Sequence, residues 1–152
     1  MNLSWQFKHF TELTTMELHD LIQLRLQTFV VEQNCVYQDL DGKDKKSYHL
    51  ICRDGFGDII GTARIIPAGI SYPEVSIGRF VIAEDKRGNQ YGIGMMNRCM
   101  EFIKAEFGNV AVRISAQQYL EKFYNRFGFQ STDKKYLEDG IPHLEMLYQP
   151  EN

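Results

Sequence analysis

The first apolar pattern along the chain is an alternation with a period of two. In residues 3–10 the aromatic residues Trp5 and Phe7 are separated by a single polar residue, which indicates a strand. Thr14 and Glu17 have the spacing of a capping box, and apolar residues follow at helical intervals. We therefore predict a strand at 3–10 and a helix from 14 to about 32, followed by a polar loop at 38–46.

Two apolar runs flank the turn Asp54-Gly55-Phe56-Gly57 and predict an antiparallel hairpin with strands at 48–53 and 59–67. Residues 75–82 carry β-branched side chains on both faces, which indicates a central strand. A second helix should begin near Gly92, because one helical face is apolar. The residues of that face are Ile93, Met96, Met100, Ile103 and Phe107.

The rest of the chain predicts a strand at 110–115, a third helix at about 118–127 and a last strand at about 143–148. Gly128 suits the left-handed position that ends a helix. The predicted fold class is α/β of the α+β type, with a mixed central sheet flanked by helices in a single domain over 1–152.

Composition excludes several classes of protein. The 152 residues carry a net charge of −3 and no long basic run, so nucleic acid is not an expected partner. No apolar segment is long enough to span a membrane, and no signal peptide is evident. The three cysteines lack metal-site or disulfide spacing. We expect a cytoplasmic protein without a bound metal.

The segment 77–94 runs from a strand through a polar loop into an amphipathic helix. The unpaired N–H groups at a helix N-terminus bind anions, and glycines let a phosphate approach the backbone. Arg87 is a candidate for a charge-assisted contact to a phosphate. Gly92 and Gly94 fit a simple flexible turn equally well, and neither a dinucleotide fingerprint nor a Walker loop is present.

Residues 89–94 resemble the R/Q-x-x-G-x-G/A motif with which GNAT acetyltransferases bind acetyl-CoA. Asn89 replaces the first residue of that motif, and Arg87 or Gln90 is the candidate to substitute for it. The resemblance implies an acyl-CoA cleft between splayed strands, with backbone groups of Phe80, Val81 and Ile82 pairing with the pantetheine arm. It assigns the pyrophosphate to Arg87, Gly88, Asn89, Gln90, Tyr91, Gly92, Ile93 and Gly94.

The third helix has one apolar face, formed by Leu120, Phe123, Tyr124 and Phe127, which favours packing on the sheet. The same segment resembles the part of GNAT enzymes that closes over CoA. That resemblance implies cofactor contacts from Gln117, Leu120, Phe123 and Tyr124. It also implies that the Tyr124 hydroxyl stabilises the departing thiolate; the alternative is a packed tyrosine with a satisfied hydroxyl.

Residues 24–41 and 138–143 resemble the ElaA-like branch of this family and, more distantly, acyl-homoserine-lactone synthases. Arg25 interrupts an apolar helix face, so it either pairs with an acid such as Glu32 or binds an anionic or acceptor group. The candidates for acceptor binding are Arg25, Phe29, His49, Arg64 and Arg79. The histidines equally suit strand-edge hydrogen bonding, and the arginines equally suit pairing with acids.

An alkylamine has a pKa near ~10.4 and must lose a proton before it attacks a thioester. Glu32, His49 and His143 are the candidate bases, and a covalent mechanism through Cys35 or Cys99 is disfavoured because no histidine neighbours either one. The sequence predicts an acetyl-CoA-dependent N-acetyltransferase acting on a small-molecule or peptide amine, as a monomer or homodimer. The alternatives are a non-catalytic acyl-CoA-sensing module and a synthase of the homoserine-lactone type.

Overall fold

The computed structural model describes residues 2–151, which form seven strands and three α-helices. The strands are β1 (Ser4–His9), β2 (Tyr48–Arg53), β3 (Ile59–Ile66), β4 (Ser76–Ile82), β5 (Val112–Gln117), β6 (Phe129–Glu138) and β7 (Ile141–Tyr148). The helices are α1 (Thr15–Leu26), which continues as a π-helical turn (Gln27–Glu32), α2 (Tyr91–Phe107) and α3 (Glu121–Asn125).

The strands form two antiparallel sheets, in the orders β1-β2-β3-β4 and β5-β7-β6. A single parallel bridge between Val75 and Val112 joins them, reinforced by the Arg113 N–H, which donates to the Val75 carbonyl at 2.9 Å. Beyond this bridge β4 and β5 do not pair with each other, because β4 pairs with β3 and β5 pairs with β7. The predicted α+β fold and the cleft between splayed strands are therefore confirmed.

The main core lies between α2 and the two sheets. The fully buried face of α2 consists of Met95, Met96, Cys99 and Ile103, whereas Met100 is half-buried. The apolar face predicted from the sequence therefore differs from the buried face by a rotation of part of a turn about the helix axis. Strand β3 approaches α2 so closely that a Cβ on Gly61 would lie 2.7 Å from the Met95 sulfur.

The predicted capping box begins α1 as expected. The Glu17 N–H donates to Thr14 Oγ1 at 3.1 Å, and the Thr14 N–H donates to Glu17 Oε1 at 2.9 Å. The same carboxylate accepts hydrogen bonds from Lys8 and Arg53. This cluster ties the start of α1 to β1 and β2.

Three predictions for the second half of the chain were wrong or incomplete. Strand β6 was missed, because its polar run around Asp133 hides the alternation and the register shifts between Ser131 and Lys135. The third helix is shorter than predicted, since residues 118–120 form a 3₁₀ turn and α3 ends at Asn125. Strand β5 lies two residues later than predicted.

Candidate active site

A cleft of about 780 Å³ opens where β4 and β5 diverge. Its other walls are formed by the π-helical turn, the loop that follows this turn, α3 and the β6–β7 hairpin. A π-helical turn changes which side chains face inward, and such turns often occur at functional sites. Predicted site residues that line the cleft are Phe29, Glu32, Arg64, Arg79, Phe80, Val81, Ile82, Arg87, Gly92, Gln117, Leu120, Phe123, Tyr124 and His143.

A β-bulge shapes the β4 wall. Arg79 and Phe80 together oppose the single residue Ala63, and Arg79 has a left-handed backbone with φ of 47°. A non-glycine residue in this region is uncommon and marks a constrained position. On its β5 side, the backbone of residues 80–82 has no ladder partner. Apart from the Ile82 carbonyl, which accepts a hydrogen bond from Arg87, the groups on that side are available to an extended ligand in the cleft.

The N-terminus of α2 lies at one end of the cleft. Gln90 adopts a left-handed conformation before the helix, and its side chain forms no capping hydrogen bond. The first N–H groups of a helix have no intrahelical partner, so this end favours an anion. Of the predicted pyrophosphate loop only Arg87 and Gly92 line the cleft itself; Gly88, Asn89, Gln90, Tyr91, Ile93 and Gly94 lie outside its lining.

Arg87 is held by three groups. Its Nη1 lies 2.5 Å from Glu32 Oε2, its Nη2 donates to Thr28 Oγ1 at 3.3 Å, and its Nε donates to the Ile82 carbonyl at 2.9 Å. The Glu32 carboxylate raises the pKa of Arg87 further. The candidate base and the candidate phosphate ligand are thus paired with each other.

Tyr124 lines the cleft. Its ring meets Phe123 and Phe129 edge-on. Within residues 2–151 its hydroxyl forms no hydrogen bond, although only 8% of the residue is exposed. Burial, with smaller contributions from Cys99 and Tyr119, raises its pKa, so the hydroxyl keeps its proton and is a hydrogen-bond donor.

Arg25 is buried and does not line the cleft. Its guanidinium lies 2.8 Å from the Asp39 carboxylate and 2.9 Å from that of Asp44. Glu32, the partner considered from the sequence, is not among its contacts. Arg25 therefore anchors the loop that follows the π-helical turn.

Arg64 and Arg79 border the cleft but are already paired. Arg64 bonds to both oxygens of Asp41, at 2.8 and 2.6 Å, and to Asp44 at 3.0 Å. Arg79 bonds to Asp39 at 2.9 Å and contacts Asp41 at 3.4 Å. These ion pairs bind the loop to β3 and β4.

The two histidines considered from the sequence have different surroundings. His49 lies outside the cleft lining, and its Nε2 contacts the Asp44 carbonyl at 2.9 Å. Burial lowers its pKa. His143 lines the cleft, its Nδ1 donates to the Ile141 carbonyl at 2.7 Å, and its Nε2 lies 3.2 Å from Glu138 Oε2.

Sequence reasoning missed the residues around His143. Tyr136 stacks on the His143 ring at 6.2 Å between centroids, and its hydroxyl shares a hydrogen bond with Ser115. Glu138 begins the hairpin that returns to His143. Predicting β6 as the partner of β7 would have placed Tyr136 opposite His143 and Glu138 beside it.

Two of the three cysteines are buried and unsuited to nucleophilic attack. Burial raises the pKa of Cys99 strongly and that of Cys52 to about 11, so both remain thiols. Cys35 is partly exposed, and its Sγ lies 3.5 Å from the Asp139 carbonyl, which accepts its hydrogen bond. Within residues 2–151 no three side chains gather as a metal site requires, and no helix has the length and apolar character to cross a membrane.

A splayed β4, an uncapped α2 and a cleft between them are the features expected of the family suggested by residues 89–94. A family model described as an acetyltransferase (GNAT) domain matches residues 14–149. The chain belongs to the GNAT acetyltransferase family. Acyl-CoA is the donor used by this fold family, and the unpaired β4 backbone and the α2 N-terminus fit its pantetheine and phosphate groups.

Relatives within the GNAT family resemble this chain in sequence and structure over nearly its whole length. Protein ElaA of Escherichia coli is 37% identical over 146 residues, covering 95% of each chain, and its crystal structure superposes with a TM-score of 0.90 over 97% of this chain and all of ElaA. An acyl-CoA N-acyltransferase from Pseudomonas aeruginosa is 36% identical, with a TM-score of 0.92 over 97% of this chain and 99% of that one.

A more distant likeness concerns the fold alone. The acyl-homoserine-lactone synthase LasI superposes with a TM-score of 0.77 over 96% of this chain and 89% of LasI, at 15% identity. The distant resemblance noted in the sequence therefore corresponds to a shared architecture.

Proposed function

We propose that this GNAT acyltransferase moves an acetyl group from acetyl-CoA to a primary amine, directly and within a ternary complex. One observation carries the proposal: a single cleft contains the β4 backbone that lacks a partner on its β5 side, an unbonded tyrosine hydroxyl at Tyr124 and the ring of His143, whose Nδ1 donates to the Ile141 carbonyl. Donor, leaving group and base therefore have separate places in one cavity.

The donor supplies an acyl thioester, and the protein binds and orients it. Backbone groups of Phe80 to Ile82 suit the amide-bearing pantetheine arm, because β4 pairs with β3 on one side and has no strand partner on its β5 side. The N–H groups at the start of α2 suit the pyrophosphate. Phe123 and Leu120 line the cleft and give the thioester an apolar wall.

Tyr124 acts on the leaving group. Because burial raises its pKa, it remains a phenol and donates a hydrogen bond to negative charge that develops on sulfur. Removing one such preorganised donor from an active site costs on the order of 10²–10³ in kcat in well-placed cases. Its hydroxyl has no competing partner within the described chain.

His143 acts as the base. The Ile141 carbonyl holds the Nδ1 proton and thereby fixes the tautomer in which Nε2 accepts. Glu32 suits this role less well because it is paired with Arg87, and His49 because it lies outside the cleft. Of the two protons that an ammonium gives up, His143 passes one to solvent and the other ends on sulfur, leaving an N-acetyl amine and a thiol.

A thiol-release assay with acetyl-CoA and a panel of amines tests this proposal. We expect amine-dependent turnover that falls at least ~10-fold in Tyr124→Phe with a nearly unchanged KM for acetyl-CoA. Tyr48→Phe is the control, because that hydroxyl bonds to Glu106 far from the cleft. Tight acetyl-CoA binding without turnover on any amine would instead support the sensing module.

The site of action and the assembly form part of the same proposal. We place the enzyme in the cytoplasm, where the three free thiols remain reduced. Its acceptor is a small-molecule or peptide amine, and it acts as a monomer or a homodimer without nucleic acid, membrane or metal.

A further inference from the structure

His143 and Glu138 lie next to each other where the β6–β7 hairpin lines the cleft. The His143 Nδ1–H donates a hydrogen bond to the Ile141 carbonyl. When the ring is neutral, Nε2 therefore carries the lone pair. Glu138 Oε2 lies 3.2 Å away and also accepts. His143 is almost completely buried, whereas the Glu138 side chain is 48% exposed and free to adjust. A group with several N–H donors and a positive charge satisfies both acceptors.

The arginines near this place are already paired with carboxylates. Arg64 and Arg79 form ion pairs with aspartates of the loop that follows the π-helical turn. Arg25 is buried and forms an ion pair with an aspartate of the same loop. Within residues 2–151, these three guanidinium groups are therefore already occupied and are not open to a carboxylate of the acceptor. Asp139, next to Glu138 on the hairpin, adds a further negative charge to the cleft lining.

Lys43 is the remaining cation to consider. It lines the same cleft, and no carboxylate within residues 2–151 forms an ion pair with its side chain. Lysine is a flexible point charge without the bidentate geometry that fixes a carboxylate. The stacked ring of Tyr136, in contrast, holds His143 in a defined position, and the backbone pairing of Glu138 with Ile141 places the Glu138 carboxylate beside it.

We propose that the acceptor is a primary amine without a carboxylate beside its amino group, bound as the ammonium by Glu138 and His143 Nε2. This inference rests on the proposed function and names its substrate class. One N–H bond of the ammonium breaks, its electron pair stays on nitrogen, and the proton passes to Nε2. The resulting imidazolium donates to Glu138 and Ile141, and the neutral amine is ready to attack.

The test compares amino acids with their own carboxamides, in which a neutral amide replaces the carboxylate, at a pH at which both amines are ammonium ions. We expect kcat/KM to be at least ~10-fold higher for each carboxamide. Glu138→Gln should raise the KM of the amine at least ~10-fold and leave the KM of acetyl-CoA within about twofold, because the glutamine lacks the charge. Glu101→Gln, an exposed carboxylate on α2, is the matched control.

Equal or better turnover of the free amino acids would overturn the inference, and loss of that preference in Lys43→Gln would show that Lys43 binds the carboxylate. An unchanged amine KM in Glu138→Gln would overturn it as well. Calorimetric binding of the same matched pairs to the CoA-loaded protein gives the answer without turnover. Failure of turnover with every amine would contradict the proposed function, whereas a reversed preference would contradict only the substrate class.

Discussion

The Arg87 guanidinium lies 2.5 Å from the Glu32 carboxylate and joins the loop before α2 to the π-helical turn after α1. Arg87 also donates to the Ile82 carbonyl and to Thr28, so it keeps two anchors if Glu32 is neutralised. The pair thus places a negative charge beside the region proposed for the CoA phosphates. This geometry has a kinetic consequence.

Glu32→Gln is expected to lower the KM of acetyl-CoA several-fold with little change in kcat. The substitution removes a charge that repels phosphate and releases Arg87 to bind it. Steady-state kinetics with varied acetyl-CoA checks this, with Arg87→Gln as the opposite case, in which KM rises. A large fall in kcat for Glu32→Gln would identify Glu32 as the base instead.

His143→Gln is expected to lose more than ~10-fold in kcat/KM for the amine near neutral pH, and much less above pH ~10.5. Near neutral pH the amine is an ammonium that needs a base, whereas above its pKa of ~10.4 it is already neutral. A pH profile of both proteins checks this. Tyr124→Phe serves as the control, since its defect lies in the leaving group and persists at high pH. An equal defect at both pH values would argue against a role as base.

Glu17→Gln is expected to destabilise the protein by about 1–3 kcal/mol at pH 7, because it breaks charged hydrogen bonds. Burial alone would raise the pKa of Glu17, but bonds from Thr14, Lys8 and Arg53 lower it from 4.5 to about 2. A depressed pKa gives stability that is present above pH 4.5 and is lost as pH falls towards 2.

Urea unfolding of both proteins at several pH values checks this expectation. The difference between wild type and Glu17→Gln should shrink as pH falls from 4.5 towards 2. The exposed carboxylate of Glu101 provides a control whose substitution changes the free energy of unfolding by less than ~0.5 kcal/mol throughout. A difference that stays constant with pH would contradict the assignment.

Gly61→Ala and Gly94→Ala should have opposite effects on stability. A Cβ on Gly61 would lie 2.7 Å from the Met95 sulfur within the core, and such overpacking costs about 1–3 kcal/mol. A Cβ on Gly94 would touch Trp5 at an ordinary 3.5 Å, and replacing a helical glycine by alanine gains about 0.5–1 kcal/mol. Chemical unfolding measures both, and a Gly61→Ala variant as stable as wild type would contradict the packing argument.

Features with a local physical cause were predictable from the sequence. Thr14 and Glu17 specify the start of α1 through bonds that span three residues, and the apolar period of α2 specifies a helix that packs on one side. Strand β6 was not predictable in this way, because its exposed face and its bulge at Asp133 remove the alternation. The boundary of the third helix depended on a 3₁₀ turn that the apolar spacing does not reveal.

The candidate site likewise has a part that the sequence predicted and a part that depended on the folded chain. Residues 89–94 and the segment ending at Gly128 were sufficient to suggest the family and the donor cleft, because that information lies in contiguous residues. The sequence left both His49 and His143 among the candidate bases, and it left Arg25 open between an ion pair with an acid such as Glu32 and an anion or acceptor site. Tertiary structure decided otherwise: it buried His49 against Asp44, placed His143 in the cleft beside Glu138, and matched Arg25 with Asp39 and Asp44. The reason is physical, since the burial of a charge and its partner across the fold depend on residues that only the folded chain brings together.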